Sequence, residues 1–136
     1  MEFKIEAASN LRRKFLGAIM PSMIEQLGLL NSKKAVLVIV EDNKTSPNMG
    51  CTVNIDELDS YVISIKPASL KSIGLTLAHE MVHVRQLAKG MLKPIGNGVN
   101  IWRGKKYTKK TKYLNMPWEL DAFSRQEIVF RRAIDS

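Results

Sequence analysis

The chain has 136 residues and a formal net charge of +8, and 45% of its residues are hydrophobic and 25% charged. This length fits one domain, residues 1–136, because a chain of this size builds one hydrophobic core. The composition excludes a disordered chain, and the longest apolar run, residues 35–40, is too short to span a bilayer. A single cysteine, Cys51, excludes an intramolecular disulfide. The N-terminus lacks a signal-peptide pattern, so we expect a cytoplasmic protein that contacts no membrane.

The first half of the chain predicts one helix followed by three strands. Apolar residues at a spacing of four predict a helix over residues 8–29. Pro21 lies inside this helix and predicts a kink or a break into two helices. The apolar, β-branched run 35–40 predicts a strand that is buried on both faces. Two further strands, joined by a turn, are predicted over residues 51–55 and 61–65.

The second half predicts two helices with a hairpin or loop between them. Residues 69–89 have a helical apolar pattern, and residues 91–116 could contain a short hairpin that turns at 103–105. Pro117 is suited to the first position of a third helix. The buried surface of that helix is predicted to come from Leu120, Phe123, Ile128, Phe130 and Ala133. The predicted fold class is α+β, with an N-terminal helix, a small mixed sheet of three to four strands, and two further helices.

The second helix contains an HExxH motif, formed by His79, Glu80 and His83. Positions i and i+4 lie on the same face of a helix, so both imidazoles can bind one metal ion. A catalytic zinc ion usually takes three protein ligands and a water, and the Glu of this motif can act as the general base for that water. Both histidines of the chain lie in this motif. A solvated helix surface is the alternative, but the flanking sequence is apolar, and burying these groups without a shared partner would be costly.

The third metal ligand must be a carboxylate or Cys51. Glu119 is favoured, because an antiparallel third helix can bring its first turn beside the motif, and the small Ala122 allows the two helices to approach closely. Asp121 is the alternative ligand, or it could orient a histidine by accepting its other N–H. A glutamate in a first turn can also simply complement the helix dipole. For Cys51 itself, a buried apolar thiol is expected.

The HExxH motif followed by Glu119-x-x-Ala122 resembles the gluzincin pattern of zinc metallopeptidases. The order of elements, together with Trp102-x-Gly104-x-x-Tyr107 and Pro117-Trp118-Glu119, is similar to small SprT-like and phage-encoded metallopeptidases. The resemblance covers roughly residues 60–125. It implies a zincin-like fold with two zinc-bearing helices and a small sheet whose edge strand can hold an extended peptide. SprT and Spartan proteins usually supply a third histidine downstream, which this chain lacks.

The resemblance implies a zinc-dependent peptidase that hydrolyses a protein or peptide substrate, in the host cytoplasm if the chain is phage-encoded. Its Zn²⁺ ligands would be His79, His83 and Glu119. Glu80 would accept the proton of the attacking water and pass it to the leaving amine. The oxyanion also needs a donor, for which Tyr107, Tyr113 and Arg125 are the candidates.

A basic segment, residues 103–112, contains six Lys and Arg residues and could contact nucleic acid or an acidic partner. A solvated charged loop is the alternative. The candidate contact residues are Arg103, Lys105, Lys106, Lys109 and Lys110. Trp102 and Trp118 flank this segment and are predicted to pack between the hairpin and the third helix. Other functions left open are a basic nucleic-acid-associated module with a structural or vestigial zinc site, a zinc hydrolase of another class, and a degenerate zincin that serves as a binding partner.

Overall fold

The structure is a computed structural model that describes residues 1–41, 48–108, 110 and 115–136. The helices are α1 (Asn10–Gln26), α2 (Leu70–Ala88) and α3 (Pro117–Ile134). The strands are β1 (Glu2–Glu6), β2 (Ala35–Val40), β3 (Gly50–Ile55), β4 (Ser60–Ile65), β5 (Leu92–Gly96), β6 (Val99–Trp102) and β7 (Lys105–Tyr107). A single 3₁₀ turn, Asp56–Leu58, joins β3 to β4 where the turn was predicted. This arrangement confirms the predicted α+β class.

Four strands form a mixed sheet in the order β1-β2-β4-β3. β1 and β4 flank β2 and are parallel to it, whereas β3 is antiparallel to β4. β1 was not predicted, although its five residues alternate charged and apolar side chains, the pattern of a half-buried strand. Only Ile5 of this strand is buried. β3 lies at an edge of this sheet, and its residue Thr52 faces α2.

One hydrophobic cluster joins this sheet to all three helices. In β2, the residues Val36, Val38 and Val40 belong to the cluster and are buried. Leu37 and Ile39 point to the opposite face and are only half-buried. The prediction that β2 is buried on both faces is therefore wrong, because the helices that form the cluster pack against one face of the strand.

α1 is a continuous helix that runs through Pro21. The predicted break is therefore absent, even though an interior proline costs a helix about 3 kcal/mol. Buried residues on both sides of the proline, such as Leu16 and Met23, belong to the same core cluster, whereas Pro21 itself is exposed. Tertiary packing thus outweighs the local cost. No helix within the described residues is long and apolar enough to cross a membrane.

α3 begins at Pro117, as predicted. Of the five residues expected to supply its buried surface, Ala133 is buried and Phe130 packs against the core, but the other three are exposed. Leu120, Phe123 and Ile128 are 46–54% exposed. The residues it buries are Trp118, Glu119, Ala122, Val129 and Ala133. Phe130 packs on Gly74 of α2, and the buried positions Glu119 and Ala122 are a carboxylate and a small side chain, which a search for large apolar residues does not find.

A second, antiparallel sheet has the order β5-β6-β7. Its β6–β7 hairpin turns at Arg103 and Gly104, as predicted, and both residues have positive φ. β5 was not predicted. Trp118 of α3 packs against the rings of Trp102 and Tyr107, with centroid distances of 6.5 and 5.6 Å, as expected for the two tryptophans. These contacts hold the second sheet against the start of α3, where Glu119 lies.

Candidate metal centre

The HExxH motif lies in the buried middle of α2. His79 and His83 are each 8% exposed, and Glu80 is 6% exposed. These three residues offer potential ligand atoms that all lie within 4.8 Å of one another. The structure therefore has, where the sequence placed it, a buried group of side chains that could hold a metal ion, rather than a solvated helix surface.

Glu119 reaches this group from the first turn of α3. Its Oε1 atom lies 3.0 Å from Nε2 of His79 and 3.2 Å from Nε2 of His83. Two ligands bound tetrahedrally to one zinc at bond lengths near 2.0–2.1 Å lie about 3.3–3.4 Å apart. The three side chains are thus close to the separation that shared coordination requires. The helices can approach this closely because Ala122, fully buried in the core, adds little bulk to α3.

Each histidine is held by a glutamine at its other ring nitrogen. Nδ1 of His79 lies 2.8 Å from Oε1 of Gln126, and Nδ1 of His83 lies 2.8 Å from Oε1 of Gln86. The amide of Gln86 can have only one orientation, because its Nε2 donates to the carbonyl of Trp118 and to Asp121, both at 2.9 Å. His83 must therefore donate its Nδ1–H to Gln86.

This hydrogen-bond pattern fits a cation between the three side chains. A neutral histidine that donates from Nδ1 presents a lone pair at Nε2. For His83 that lone pair faces the Glu119 carboxylate, which is also an acceptor, and the same arrangement holds for His79 if its Nδ1 donates to Gln126. Such a set of buried acceptors needs either protons or a metal ion among them. The residues present therefore suit a divalent metal.

The electrostatics of the group agree with this requirement. Burial alone would raise the pKa of Glu119, but the hydrogen bonds from His79 and His83 outweigh it and lower the pKa to about 2. Burial would lower the pKa of His83, yet its hydrogen bond with Glu119 and the nearby negative charge leave that pKa raised. Each group thus favours its charged form because it faces the other, and a metal ion would satisfy the same carboxylate.

The carboxylate of Glu80 lies beside the two histidines and also contacts the edge strand β3. Its Oε1 accepts a hydrogen bond from Thr52 Oγ1 at 2.7 Å. Gly50, two residues earlier in β3, leaves room for the carboxylate, since a Cβ atom there would lie 3.1 Å from Oε2 of Glu80 and 2.7 Å from the methyl group of Thr76. The strand therefore fixes the position of the carboxylate beside the metal ligands.

Two cavities meet at Glu80, one on each side of the histidines. The first has a volume of about 360 Å³ and is lined by His79, Glu80 and the apolar side chains of Met49, Leu75 and Phe123. The second has a volume of about 250 Å³. Residues that line the second cavity include Thr52, His83, Leu87, Leu92, Pro94, Trp118 and Glu119. Together they form a cleft along α2, with β3 as one wall and the candidate metal ligands near its middle.

Asp121 does not contact a histidine. It accepts from Gln86, which in turn holds His83, and it pairs with Arg125 at 2.7 Å. These contacts outweigh the effect of burial and lower the pKa of Asp121. The expectation that Asp121 orients a histidine directly is therefore wrong. Asp121 contacts Gln86, and Gln86 in turn holds His83. Arg125, a candidate oxyanion donor, has this carboxylate as its partner.

The remaining predicted site residues have mixed outcomes. The ring of Tyr107 packs edge-on against Trp118, and its role as an oxyanion donor stays a prediction. Tyr113 and Lys109 lie outside the described residues. Cys51 is exposed on β3, so the expectation of a buried thiol is wrong. Side chains alternate along the strand, and the side chain of its neighbour Thr52 is the one that faces α2. Four basic candidates are exposed: Arg103, Lys105, Lys106 and Lys110.

Three residues that hold the site were not predicted. Gln86 follows His83 by three positions, a spacing at which helical side chains are neighbours, so the sequence held a signal for it. Gln126 is seven positions after Glu119 and therefore lies on the same side of α3, which is a weaker signal. Thr52 had none, because its contact depends on how β3 lies over α2.

Comparison of the chain with protein-family models, with curated proteins and with solved structures finds no match. The functional assignment therefore rests on the chemistry and geometry of the site.

Proposed function

We propose that this chain is a zinc-dependent metallopeptidase of gluzincin type. The observation that carries the proposal is the convergence of two histidine Nε2 atoms on one carboxylate oxygen of Glu119, with a second carboxylate, Glu80, beside them. Two nitrogen ligands and one oxygen ligand form a set typical of catalytic zinc, which keeps an open position. Under this proposal His79, His83 and Glu119 hold Zn²⁺.

Bound zinc would supply Lewis-acid activation of a water and of the scissile carbonyl. Glu80 would accept the proton of the attacking water and transfer it to the leaving nitrogen. Its hydrogen bond from Thr52 leaves the second carboxylate oxygen available and aims the group at the cleft. Gln86 and Gln126 would keep the imidazoles in the orientation that binds the metal.

The cleft supports a peptide as the substrate. β3 is an edge strand that borders both cavities, and an extended peptide can pair with an exposed strand edge. The first cavity has an apolar lining that includes Met49, Leu75 and Phe123. We therefore expect an apolar side chain next to the scissile bond to bind in this cavity.

The test combines metal analysis with cleavage of a degenerate peptide library, read by mass spectrometry. Wild-type protein is expected to bind about one zinc per chain and to cleave the library. Glu80→Gln should keep the metal and lower the cleavage rate by about 10²–10⁴-fold, because the general base is lost. Glu119→Ala should lose both metal and cleavage.

Glu127→Gln is the matched control, since it makes the same change on the exposed face of α3, where Glu127 pairs with Arg131. It should leave metal content and cleavage unchanged. Cleavage by Glu80→Gln at the wild-type rate would reject the proposed mechanism, and full zinc retention by Glu119→Ala would reject the proposed ligand set.

A further inference from the structure

The positive charge of the chain is concentrated in one stretch of sequence. Residues 81–118 contain nine Lys and Arg residues and no Asp or Glu, whereas the rest of the chain has 12 basic and 13 acidic residues. The net charge of +8 therefore originates entirely in this stretch. It covers the end of α2, the three-stranded sheet and the approach to α3.

The three-stranded sheet carries this charge to the end of the cleft. Leu92 and Pro94 of β5 line the second cavity, and Lys93 between them is exposed. Because side chains alternate along a strand, Lys93 and Lys106, which are both in register with Ile101 of β6, lie on the opposite face of the sheet from Leu92. Lys105 is in register with Trp102, which pairs with Leu92, so Lys105 lies on the face that lines the cavity. The cationic sheet is defined here by its four exposed cations, Lys93, Arg103, Lys105 and Lys106.

These cations lack acidic partners. In the part of the chain that the structure describes, no carboxylate forms an ion pair with any of the four. Among the described residues that line the second cavity, the acidic ones are Glu80 and Glu119, which belong to the candidate metal centre. A positive surface with no internal counter-charge next to a cleft attracts an anionic ligand by its long-range field.

The aromatic rings of this sheet are not offered to nucleic-acid bases. Arg103 lies over the ring of Trp102 at 5.4 Å, and Lys105 lies over the ring of Tyr107 at 5.3 Å. Both rings also contact Trp118. Binding of single strands depends on stacking of bases on free aromatic faces, so this surface is better suited to recognition through charge.

Building on the proposed function, we infer that the cationic sheet binds an acidic segment of the polypeptide substrate, on one side of the scissile bond only. α2 lines the cleft from Ser72 to Leu87, a rise of about 22 Å at 1.5 Å per residue. An extended chain covers that length with about seven residues. Acidic residues about three or more positions from the scissile bond would therefore reach the sheet.

The test measures peptide binding rather than cleavage, so that it does not depend on turnover. Fluorescence anisotropy of labelled nonapeptides with an apolar centre is recorded on the Glu80→Gln variant. Three peptides are compared. One carries three Asp on its N-terminal arm, one carries three Asp on its C-terminal arm, and one has Ser in both arms. One Asp placement is expected to bind about tenfold more tightly than the Ser peptide at low salt, as for three exposed ion pairs. The advantage should shrink towards 0.5 M salt because of screening.

Charge reversal identifies the surface. Arg103→Glu with Lys105→Glu, at the cations beside the row of Leu92 and Trp102 that borders the cavity, should abolish the advantage of the Asp peptide. The matched control, Lys14→Glu with Lys33→Glu, makes the same change in net charge at exposed positions that line neither cavity, and it should keep the advantage within about twofold.

Each outcome decides the inference. Equal binding of the two Asp placements, equal loss in the two double variants, or binding that ignores peptide charge would overturn it. An oligothymidylate of equal charge that binds more tightly than the Asp peptide and displaces it would also overturn it, in favour of nucleic acid. Failure of the wild type to cleave any peptide would reject the peptidase proposal, while charge-dependent binding would still support an acidic polypeptide ligand.

Discussion

Gln86 allows a sharp test of how the site is held together. Its side chain is fully buried and makes hydrogen bonds to His83, to the carbonyl of Trp118 and to Asp121. Gln86→Met keeps the length of the side chain and removes all three bonds. Since each bond contributes about 0.5–1.5 kcal/mol and buried partners are left unpaired, the metal-free protein should lose about 2–4 kcal/mol of unfolding free energy.

The same substitution should weaken metal binding, because His83 loses the acceptor that fixes its orientation. Loss of such a partner typically lowers metal affinity by about 10–100-fold. Gln126→Met is the matched control, since it removes the equivalent 2.8 Å contact from His79 at a half-buried position. It should lower metal affinity in the same range but cost the metal-free protein only about 0.5–1.5 kcal/mol, the value of one hydrogen bond.

Urea unfolding of the metal-free proteins gives the stabilities, and zinc titration against a chelator of known affinity gives the dissociation constants. The reasoning predicts two separate effects, with affinity lowered in both variants and stability lowered mainly in Gln86→Met. If the two variants lose equal stability, the view that Gln86 joins α2 to α3 is wrong. If neither variant changes zinc affinity, the glutamines do not orient metal ligands.

Two further predictions concern pH and the edge strand. The raised pKa of His83 means that its contribution to stability is present below its unfolded value of 6.5 and is lost as the pH rises through the folded pKa. The lowered pKa of Glu119 means that its contribution is present above 4.5 and is lost as the pH falls towards about 2. In urea unfolding of the metal-free proteins, the difference in unfolding free energy between wild type and Glu119→Gln should therefore be largest between pH 4.5 and pH 6.5. A difference that widens at pH 9 would contradict this reasoning. Gly50→Ala should lower the cleavage rate with zinc retained, because the new Cβ meets the Glu80 carboxylate. Gly17→Ala in α1 is the control, since nothing outside the nearby helix backbone lies within 4 Å of the new Cβ. It should leave cleavage unchanged in the same peptide assay.

The parts of the structure that the sequence predicts well are those specified by local pattern. The HExxH spacing, the helical period of α2 and Pro117 at the start of α3 are each readable within one segment, and each lies where it was predicted. The approach of Glu119 to the histidines was also predictable, because a buried pair of histidines restricts which element can supply a third ligand. Its role as a ligand remains a prediction.

The errors arise where tertiary contacts override local pattern. Leu120 and Ile128 were expected to be buried because they are large and apolar, yet α3 turns Ala122 and Val129 towards the core. The choice of face depends on the need to place Glu119 and Trp118 against α2 and the second sheet. Cys51 was expected to be buried because cysteine usually is, but the alternation of β3 is fixed by Gly50 and Thr52, which must face Glu80.

Contacts between α2 and α3 determine whether the site forms only when the metal binds or is already formed without it. Phe130 of α3 packs where a Cβ atom of Gly74 in α2 would be, and Gln86 binds the carbonyl of Trp118 at the start of α3. Neither contact needs a metal ion, so packing and hydrogen bonds within the protein place Glu119 beside the histidines. Removal of zinc should then leave the far-ultraviolet circular dichroism spectrum and cooperative unfolding intact. The loss of stability should be only the binding term, about 2.7 kcal/mol at a free zinc concentration 100 times the dissociation constant. A chain that unfolds when a chelator is added would show instead that the metal organises α2 and α3, as in small proteins whose metal binding and folding are one event.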